Sequence, residues 1–287
     1  MKGKRNVLAA VALAAAFAFA DDGYLVVGHG GLMEKGGDSP IAKELVARFS
    51  PKNGTAVAVD VVEVTNAVAL KACAPKSYAG IILVPGFDTG KMKDHSIVNA
   101  EHLAAMNALL DSVRAKAVVA VEEGGDFENY QRLRDAFAGR AAVITTRDGG
   151  ARLAMSWGHF APEGMRRIAL ALKHAADPAK RDGIHPLPGK VTMEESWMVL
   201  DFETPALQGQ SLIVSDTLFR KFYVRSAGKT NWTRIDNLYV EDNKVYLDCS
   251  KISNPGGVRL NWWHLSPFKN IDHLPTPGFV LALDAGR

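Results

Sequence analysis

Residues 24–31 read YLVVGHGG, a short β-branched and aromatic run that ends in a glycine-rich turn. Four further runs with strand character follow it, at residues 55–64, 79–84, 116–122 and 140–146. Helical stretches separate these runs, and such alternation is typical of βαβ units that form a parallel sheet. Because ligands bind beyond the carboxyl ends of parallel strands, the glycine-rich turn is expected to line a cleft.

The helices between the strands are indicated by apolar residues at helical spacing. Pro40 directly follows Ser39, and the pair predicts a helix start, since serine is a favoured cap and proline suits the first turn. The remaining helical stretches lie at residues 98–114, 128–138 and 162–174. Residues 21–176 are therefore expected to form an α/β domain of three layers with a parallel sheet.

The sequence changes character after residue 176. Residues 177–195 hold three prolines and read as a linker. Residues 196–287 contain short strand-like runs separated by turn residues such as Asp242 and Asn243. This spacing predicts a small all-β sandwich as a second domain.

The first twenty residues are typical of a signal peptide. Three cations precede an apolar stretch from Val7 to Phe19, and residues 18–20 (AFA) fit a signal-peptidase site. The apolar stretch is too short for a membrane anchor. We therefore expect export of the chain, to the periplasm or the medium, with residues 1–20 removed and no membrane anchor left.

The charge, the cysteines and the histidines indicate whether nucleic acid, a disulfide or a metal is expected. Removing the three cations of the leader from the 34 basic residues leaves 31, against 31 acidic residues, so nucleic acid is not an expected partner. Cys73 and Cys249 are the only cysteines and are expected to be buried thiols. The histidines have no metal-ligand spacing, so neither a metal nor a cofactor is predicted.

The tail of the chain resembles a known family. Residues 258–262 read VRLNW, and residues 266–267 (SP), Asn270 and residues 274–279 (LPTPGF) follow. This order is similar to the closing segment of sialate O-acetylesterases, which are carbohydrate esterases of the SGNH or GDSL-type hydrolase class. The resemblance implies a flavodoxin-like parallel sheet and an exported protein whose partner is an O-acetylated glycan, with no cofactor.

The catalytic blocks of that family map onto altered residues. The family places a nucleophilic serine after the first strand, and Gly30, followed by Gly31, stands at that position. The family also places an acid three residues before a histidine, ahead of the last helix, and Ser156 and His159 stand there. The resemblance therefore implies an esterase site that keeps its base without its nucleophile and acid.

The oxyanion hole departs from the family pattern as well. A G-x-N-D motif is expected after the third strand, where this chain has Gly86, Phe87 and Asp88. The asparagine is thus replaced by Phe87 or deleted, and an amide donor is lost. Gly30 and Gly31, together with these three residues, are the predicted pocket.

Several alternatives stay open. Ser39, in residues 36–40 (GGDSP), is a candidate displaced nucleophile that would act with His159 and give an active esterase. Asp182 and His185 form a D-x-x-H match, which is either the acid–base pair of the site or an incidental match on a surface turn, and we favour the turn. A structural or interaction protein without catalysis is a third class.

Three further patterns have a functional and a structural interpretation. Residues 154–158 (AMSWG) resemble the nucleophile elbow of α/β-hydrolases, which would need further strands downstream. Glu122 with Glu123 and Asp126 are either paired carboxylates or a charged loop at a strand end, and we favour the loop. The aromatic residues of the tail, including Phe268, are interpreted as core residues and not as a platform for a sugar.

Overall fold

The computed structural model describes eleven parts of the chain. They are residues 23–29, 40–50, 56–88, 97–122, 127–145, 162–181, 184–214, 222–260, 268–270, 274 and 276–284.

The described helices are α1 (Pro40–Phe49), α2 (Ala67–Cys73), α3 (Ala100–Leu110), α4 (Phe127–Ala136), α5 (Pro162–Ala175) and α6 (Pro178–Arg181), with a 3₁₀ turn at Pro205–Leu207. None of these helices is long and apolar enough to cross a membrane.

The described strands of the first half of the chain are β1 (Tyr24–Gly28), β2 (Val59–Glu63), β3 (Ser77–Tyr78), β4 (Gly80–Val84), β5 (Phe87–Asp88), β6 (Ile97–Val98), β7 (Arg114–Ala115), β8 (Val118–Glu122) and β9 (Ala142–Thr145). Those of the second half are β10 (Lys190–Glu194), β11 (Trp197–Asp201), β12 (Ile213–Val214), β13 (Phe222–Ser226), β14 (Thr233–Arg234), β15 (Leu238–Glu241), β16 (Lys244–Asp248), β17 (Pro255–Leu260), β18 (Phe268–Lys269) and β19 (Phe279–Ala282).

Five parallel strands form the first sheet, in the order β2-β1-β4-β8-β9. Counted along the chain, this is the order 2-1-3-4-5 of flavodoxin-like sheets. Each of these strands lies within the range that the sequence predicts for it. The mixed α/β fold with a parallel sheet is therefore confirmed.

Helices pack on both faces of this sheet because its buried residues alternate. Val26 belongs to a core shared with α1 and α5, whereas its neighbours Leu25 and Val27 belong to a core shared with α2, α3 and α4. Helix α2 has no counterpart in the sequence prediction. Asn66 caps this short helix, and its Oδ1 atom accepts a hydrogen bond from the Ala69 amide.

Two four-stranded antiparallel sheets follow, in the orders β10-β11-β16-β15 and β14-β13-β17-β19. Their inward side chains share one core, in which Met198 and Leu247 of the first sheet join Phe222 and Val258 of the second. Strand β10 lies within the stretch predicted as a linker. The fold is thus a mixed α/β region with a parallel sheet, followed by a β-rich region with antiparallel sheets.

The predicted turn between β15 and β16 has a clear physical cause. Asp242 and Asn243 have φ angles of 45° and 64°, in the left-handed region. Two-residue hairpins need this conformation at both positions, and aspartate and asparagine tolerate it better than most residues.

The tail joins the two regions. The Asn270 side chain is 1% exposed, and its amide donates to the carbonyl oxygens of Ile184 and Ala206, at 3.1 Å each. Its Oδ1 atom accepts a hydrogen bond from the Leu274 amide at 2.9 Å. Leu274 itself lies in the core between the parallel sheet and α1, so the tail is part of the first region's packing.

The two cysteines are free and buried, as the sequence predicts. Cys73 lies in the core under α2, whereas Cys249 lies in the core of the antiparallel sheets. Burial raises the pKa of the Cys249 thiol to about 11, so this thiol is protonated at neutral pH. Phe268 is fully buried with its ring centre 5.2 Å from that of Phe202, which confirms its interpretation as a core residue.

Candidate functional site

The carboxyl edge of the parallel sheet is the candidate site. Strands β1, β4, β8 and β9 end there side by side, at Gly28, Val84, Glu122 and Thr145. Since neighbouring strands lie about 4.8 Å apart, these four ends span roughly 15 Å. In sheets of this kind, ligands bind outside this edge.

Five predicted site residues lie outside the described part of the chain: Gly30, Gly31, Ser39, Ser156 and His159. Their roles stay predictions. The elements on either side of them are described, since β1 ends at Gly28, α1 begins at Pro40 and α5 begins at Pro162.

Gly86 packs against a histidine that follows the first strand. Its φ of 69° lies in the left-handed region, which favours glycine. A Cβ atom on Gly86 would lie 2.6 Å from Cδ2 of His29, so the imidazole occupies the space that a side chain would need. The structure therefore places His29, which follows β1, against Gly86, which follows β4. The imidazole has room there because Gly86 carries no side chain.

Phe87 and Asp88 continue from Gly86 as strand β5, which pairs with Val98 and Ile97 of β6. Their backbone thus forms a small antiparallel ladder at the place where the family motif has its asparagine.

The amino end of α3 holds the loop between β4 and β5. The His102 ring donates a hydrogen bond from Nδ1 to the Pro85 carbonyl oxygen, and the Asn99 amide donates to the Gly86 carbonyl oxygen at 3.3 Å. Asn99 also caps α3, because its Oδ1 atom accepts hydrogen bonds from the Glu101 and His102 amides. The position of Gly86 is thereby tied to a capped helix.

Thr145, the last residue of β9, forms hydrogen bonds with three buried polar side chains. Its hydroxyl donates to Oε2 of Glu122 at 2.9 Å, and its carbonyl oxygen accepts from Nη1 of Arg167 at 3.3 Å. Its amide donates to Nε2 of His185 at 3.3 Å. All four residues are at most 3% exposed. The sequence analysis did not identify this cluster, which we name the Thr145 cluster.

His185 is therefore not on a surface turn, and that interpretation of the D-x-x-H match is wrong. It is 3% exposed, and it lies on the edge of the sheet because Thr145 binds it. A backbone amide can only donate, so Nε2 of His185 accepts and the ring proton of the neutral imidazole is on Nδ1. Nε2 is thus engaged in a buried hydrogen bond and is not placed to take a proton from an alcohol.

The interpretation of a charged loop is wrong for Glu122, whereas its place at the end of the fourth predicted strand, residues 116–122, is confirmed. It is the last residue of β8 and only 1% exposed, and the Thr145 hydroxyl binds its carboxyl group. Strand burial explains the difference, because β8 lies inside the sheet between β4 and β9. Its two predicted carboxylate partners, Glu123 and Asp126, lie outside the described residues.

Tyr130 of α4 closes the cluster on one side. Burial raises the pKa of its phenol to about 12, so the hydroxyl is protonated and donates to the Val143 carbonyl oxygen at 3.4 Å. The ring meets that of His185 edge to face, with 6.0 Å between centres. The cluster is therefore enclosed by packed side chains and acts as a structural support for the edge.

Comparisons with known proteins identify a related fold. No protein-family model matches the chain, and no curated protein matches its sequence. Among solved structures, the chain is similar to a carbohydrate acetylesterase from Xanthomonas citri, with a TM-score of 0.58 and 16% identity. The match covers 91% of this chain and 80% of that chain. The chain therefore has a carbohydrate esterase-like fold.

The contact between Gly86 and His29 predicts an unequal effect of two glycine substitutions. We expect Gly86→Ala to lower the free energy of unfolding by about 2–4 kcal/mol, because a left-handed conformation with a Cβ atom and an overpacked contact both cost energy. Gly139→Ala is the matched control, since Gly139 has a φ of 66° and nothing within 4 Å of its Cβ position. It should cost only about 1–2 kcal/mol, measured by urea unfolding. Equal costs for the two variants would contradict the contact.

The Thr145 cluster predicts that the hydroxyl of Thr145 stabilises the fold. Thr145→Val keeps the shape but leaves the buried Glu122 carboxyl without that donor, and should cost about 1–3 kcal/mol in urea unfolding. Thr145→Ser keeps the hydroxyl and should cost less. The exposed strand residue Thr233 supplies the control, because Thr233→Val should change stability by about 0.5 kcal/mol at most. A Thr145→Val variant as stable as the parent would show that the hydroxyl bond contributes nothing.

Proposed function

We propose that this protein binds O-acetylated glycans at the carboxyl edge of its parallel sheet, in an SGNH-type esterase site that has lost its nucleophile. The observation that carries the proposal is the likeness to a carbohydrate acetylesterase over 91% of the chain. The sialate O-acetylesterase-like tail adds to it and favours acetyl esters on sialic acid or another glycan.

Loss of turnover follows from the residues at the predicted catalytic positions. Gly30 offers no hydroxyl where the serine would stand, and Ser156 offers no carboxylate to orient His159. Members of a catalytic triad act as a unit, so the loss of two of them leaves little rate enhancement. His185 does not replace the missing base, because its Nε2 atom accepts the Thr145 amide.

Binding of the glycan does not need these groups. A cleft beyond the strand ends can recognise an acetylated sugar through backbone amides and shape, as most ligand pockets combine apolar walls with a few polar groups. Gly30 and Gly31 carry no side chain that would keep a ligand from their backbone.

An active esterase that uses Ser39 is the second candidate. It is favoured by the position of α1, which begins at Pro40, directly after Ser39 in the sequence. The helix that follows a strand in a βαβ unit begins near the carboxyl edge of that strand, which is the edge of the site.

We also propose that the protein is exported, on the strength of the leader pattern in residues 1–20. Expression of the full chain in a bacterial host should yield a periplasmic or secreted protein whose intact mass matches a chain that begins at Asp21. Recovery of the full-length chain in the cytoplasm would disprove export.

The loss of turnover can be tested with the mature chain. It should bind O-acetylated oligosaccharides in calorimetric titration and should hydrolyse p-nitrophenyl acetate no faster than its His159→Ala variant. The double change Gly30→Ser with Ser156→Asp restores a nucleophile and an acid, and should raise the rate by about tenfold or more, whereas Gly30→Ser alone should gain less.

The other outcomes separate the alternatives. Turnover by the parent chain that disappears in both Ser39→Ala and His159→Ala would establish the second candidate in place of the first. Absence of both binding and turnover, in a chain with a normal thermal transition, would indicate a structural or interaction protein.

A further inference from the structure

A cluster of arginines and aromatic rings lies on the second antiparallel sheet, and none of its residues belongs to the candidate site. Tyr223 of β13 and Arg259 of β17 are register partners, and Arg225 follows on the same face of β13. The guanidinium carbon of Arg259 lies 4.9 Å from the Tyr223 ring centre and 5.0 Å from that of Trp232. That of Arg225 lies 5.1 Å from the Trp232 ring centre. We name these four residues the arginine–tryptophan face.

This face points away from the core. Phe222 and Val224, which alternate with the face along β13, are fully buried in the core between the antiparallel sheets. The alternate residues Tyr223 and Arg225 therefore point outward, and both are partly exposed. The outward-facing Arg225 can therefore be reached by a ligand from solvent.

Among the described residues, no carboxylate pairs with the two arginines of this face. Within the described residues, the neighbouring Arg234 pairs with Asp236 at 2.9 Å, whereas no ion pair involves Arg225 or Arg259. The buried Nε atom of Arg259 has no hydrogen-bond partner there either. Two guanidinium groups thus contact one tryptophan ring. An anion placed between the two guanidinium groups would reduce their mutual repulsion.

The chemistry of the face selects a planar anion. A guanidinium presents paired N–H donors that match the two oxygens of a carboxylate, and contact with aromatic rings holds it in one orientation. The Trp232 and Tyr223 rings are in contact with the guanidinium groups, so they serve to orient the arginines.

We propose that the arginine–tryptophan face binds a carboxylated sugar residue. The choice of a sugar rests on the proposed function, while the anionic character rests on the two arginines alone. The face and the sheet edge would then be two separate sites, one for the charged residue and one for the acetylated residue of a glycan.

The test is a calorimetric titration of the mature chain with an oligogalacturonate. The parent chain should bind it and should not bind the methyl-esterified form, which lacks the charge. The double variant R225Q/R259Q should bind about tenfold more weakly or worse, because both guanidinium groups are lost.

R234Q is the matched control and should stay within about twofold of the parent, since Arg234 already pairs with Asp236. R225Q alone should give an intermediate loss, and thermal transitions check that each variant folds.

Each contrary result has a defined meaning. Unchanged binding by R225Q/R259Q, or equal binding of the methyl-esterified form, would overturn the proposal. Tighter, arginine-dependent binding of a sulfated oligosaccharide or of single-stranded DNA would overturn the assignment to carboxylated sugars.

A neutral O-acetylated oligosaccharide keeps this proposal separate from the proposed function. Its binding should be the same in the parent and in R225Q/R259Q. If the parent fails to bind it but binds oligogalacturonate through the arginines, the proposed function fails and the face stands. If the parent binds only the acetylated probe, the proposed site on the arginine–tryptophan face is disproved and the proposed function is supported.

Discussion

The hydrogen bonds of Thr145 are the constraint on which the rest of the sheet edge depends. Its hydroxyl, carbonyl and amide groups bind Glu122, Arg167 and His185, which come from β8, from α5 and from the segment after α6. Unpaired polar groups are costly in a buried position, so any shift of these elements that broke a bond would be opposed. Helix α5 directly follows the chain segment that contains His159. The bond between Arg167 and Thr145 thus fixes the helix to which the predicted catalytic base is attached.

The tail constrains the fold in a similar way. Asn270 binds carbonyl groups at Ile184 and Ala206, and Leu274 packs in the core of the parallel sheet. Asn270 and Leu274, two residues of the tail that resembles sialate O-acetylesterases, therefore hold the regions together. A likeness in such residues indicates a shared architecture more than a shared reaction, which agrees with a similar fold at 16% identity. The chemistry therefore depends on the predicted catalytic positions, Gly30, Ser156 and His159.

The sequence predicts the strands of the parallel sheet well because their signal is local. Runs of β-branched residues and the turns that end them are visible within a few positions, as at Asp242 and Asn243. The Thr145 cluster was missed because its bonds join residues 22 to 40 positions apart. Glu122 looks like the start of a charged loop at a strand end, and His185 looks like a turn residue, when only their neighbours are considered. The one available signal was a polar residue that closes an otherwise apolar strand, as Glu122 does in β8.

The same cluster bears on the chemistry that is left at the edge. A histidine and a carboxylate are the usual parts of an esterase relay, and the described part of the edge contains both in His185 and Glu122. Here the Thr145 amide donates to the histidine and the Thr145 hydroxyl donates to the carboxylate, so both groups form structural hydrogen bonds. A hydrolytic reaction would then have to rely on His159 without a carboxylate three residues before it. Recognition of an acetylated sugar makes no such demand, and for that reason the binding function fits this chain better than the hydrolytic one.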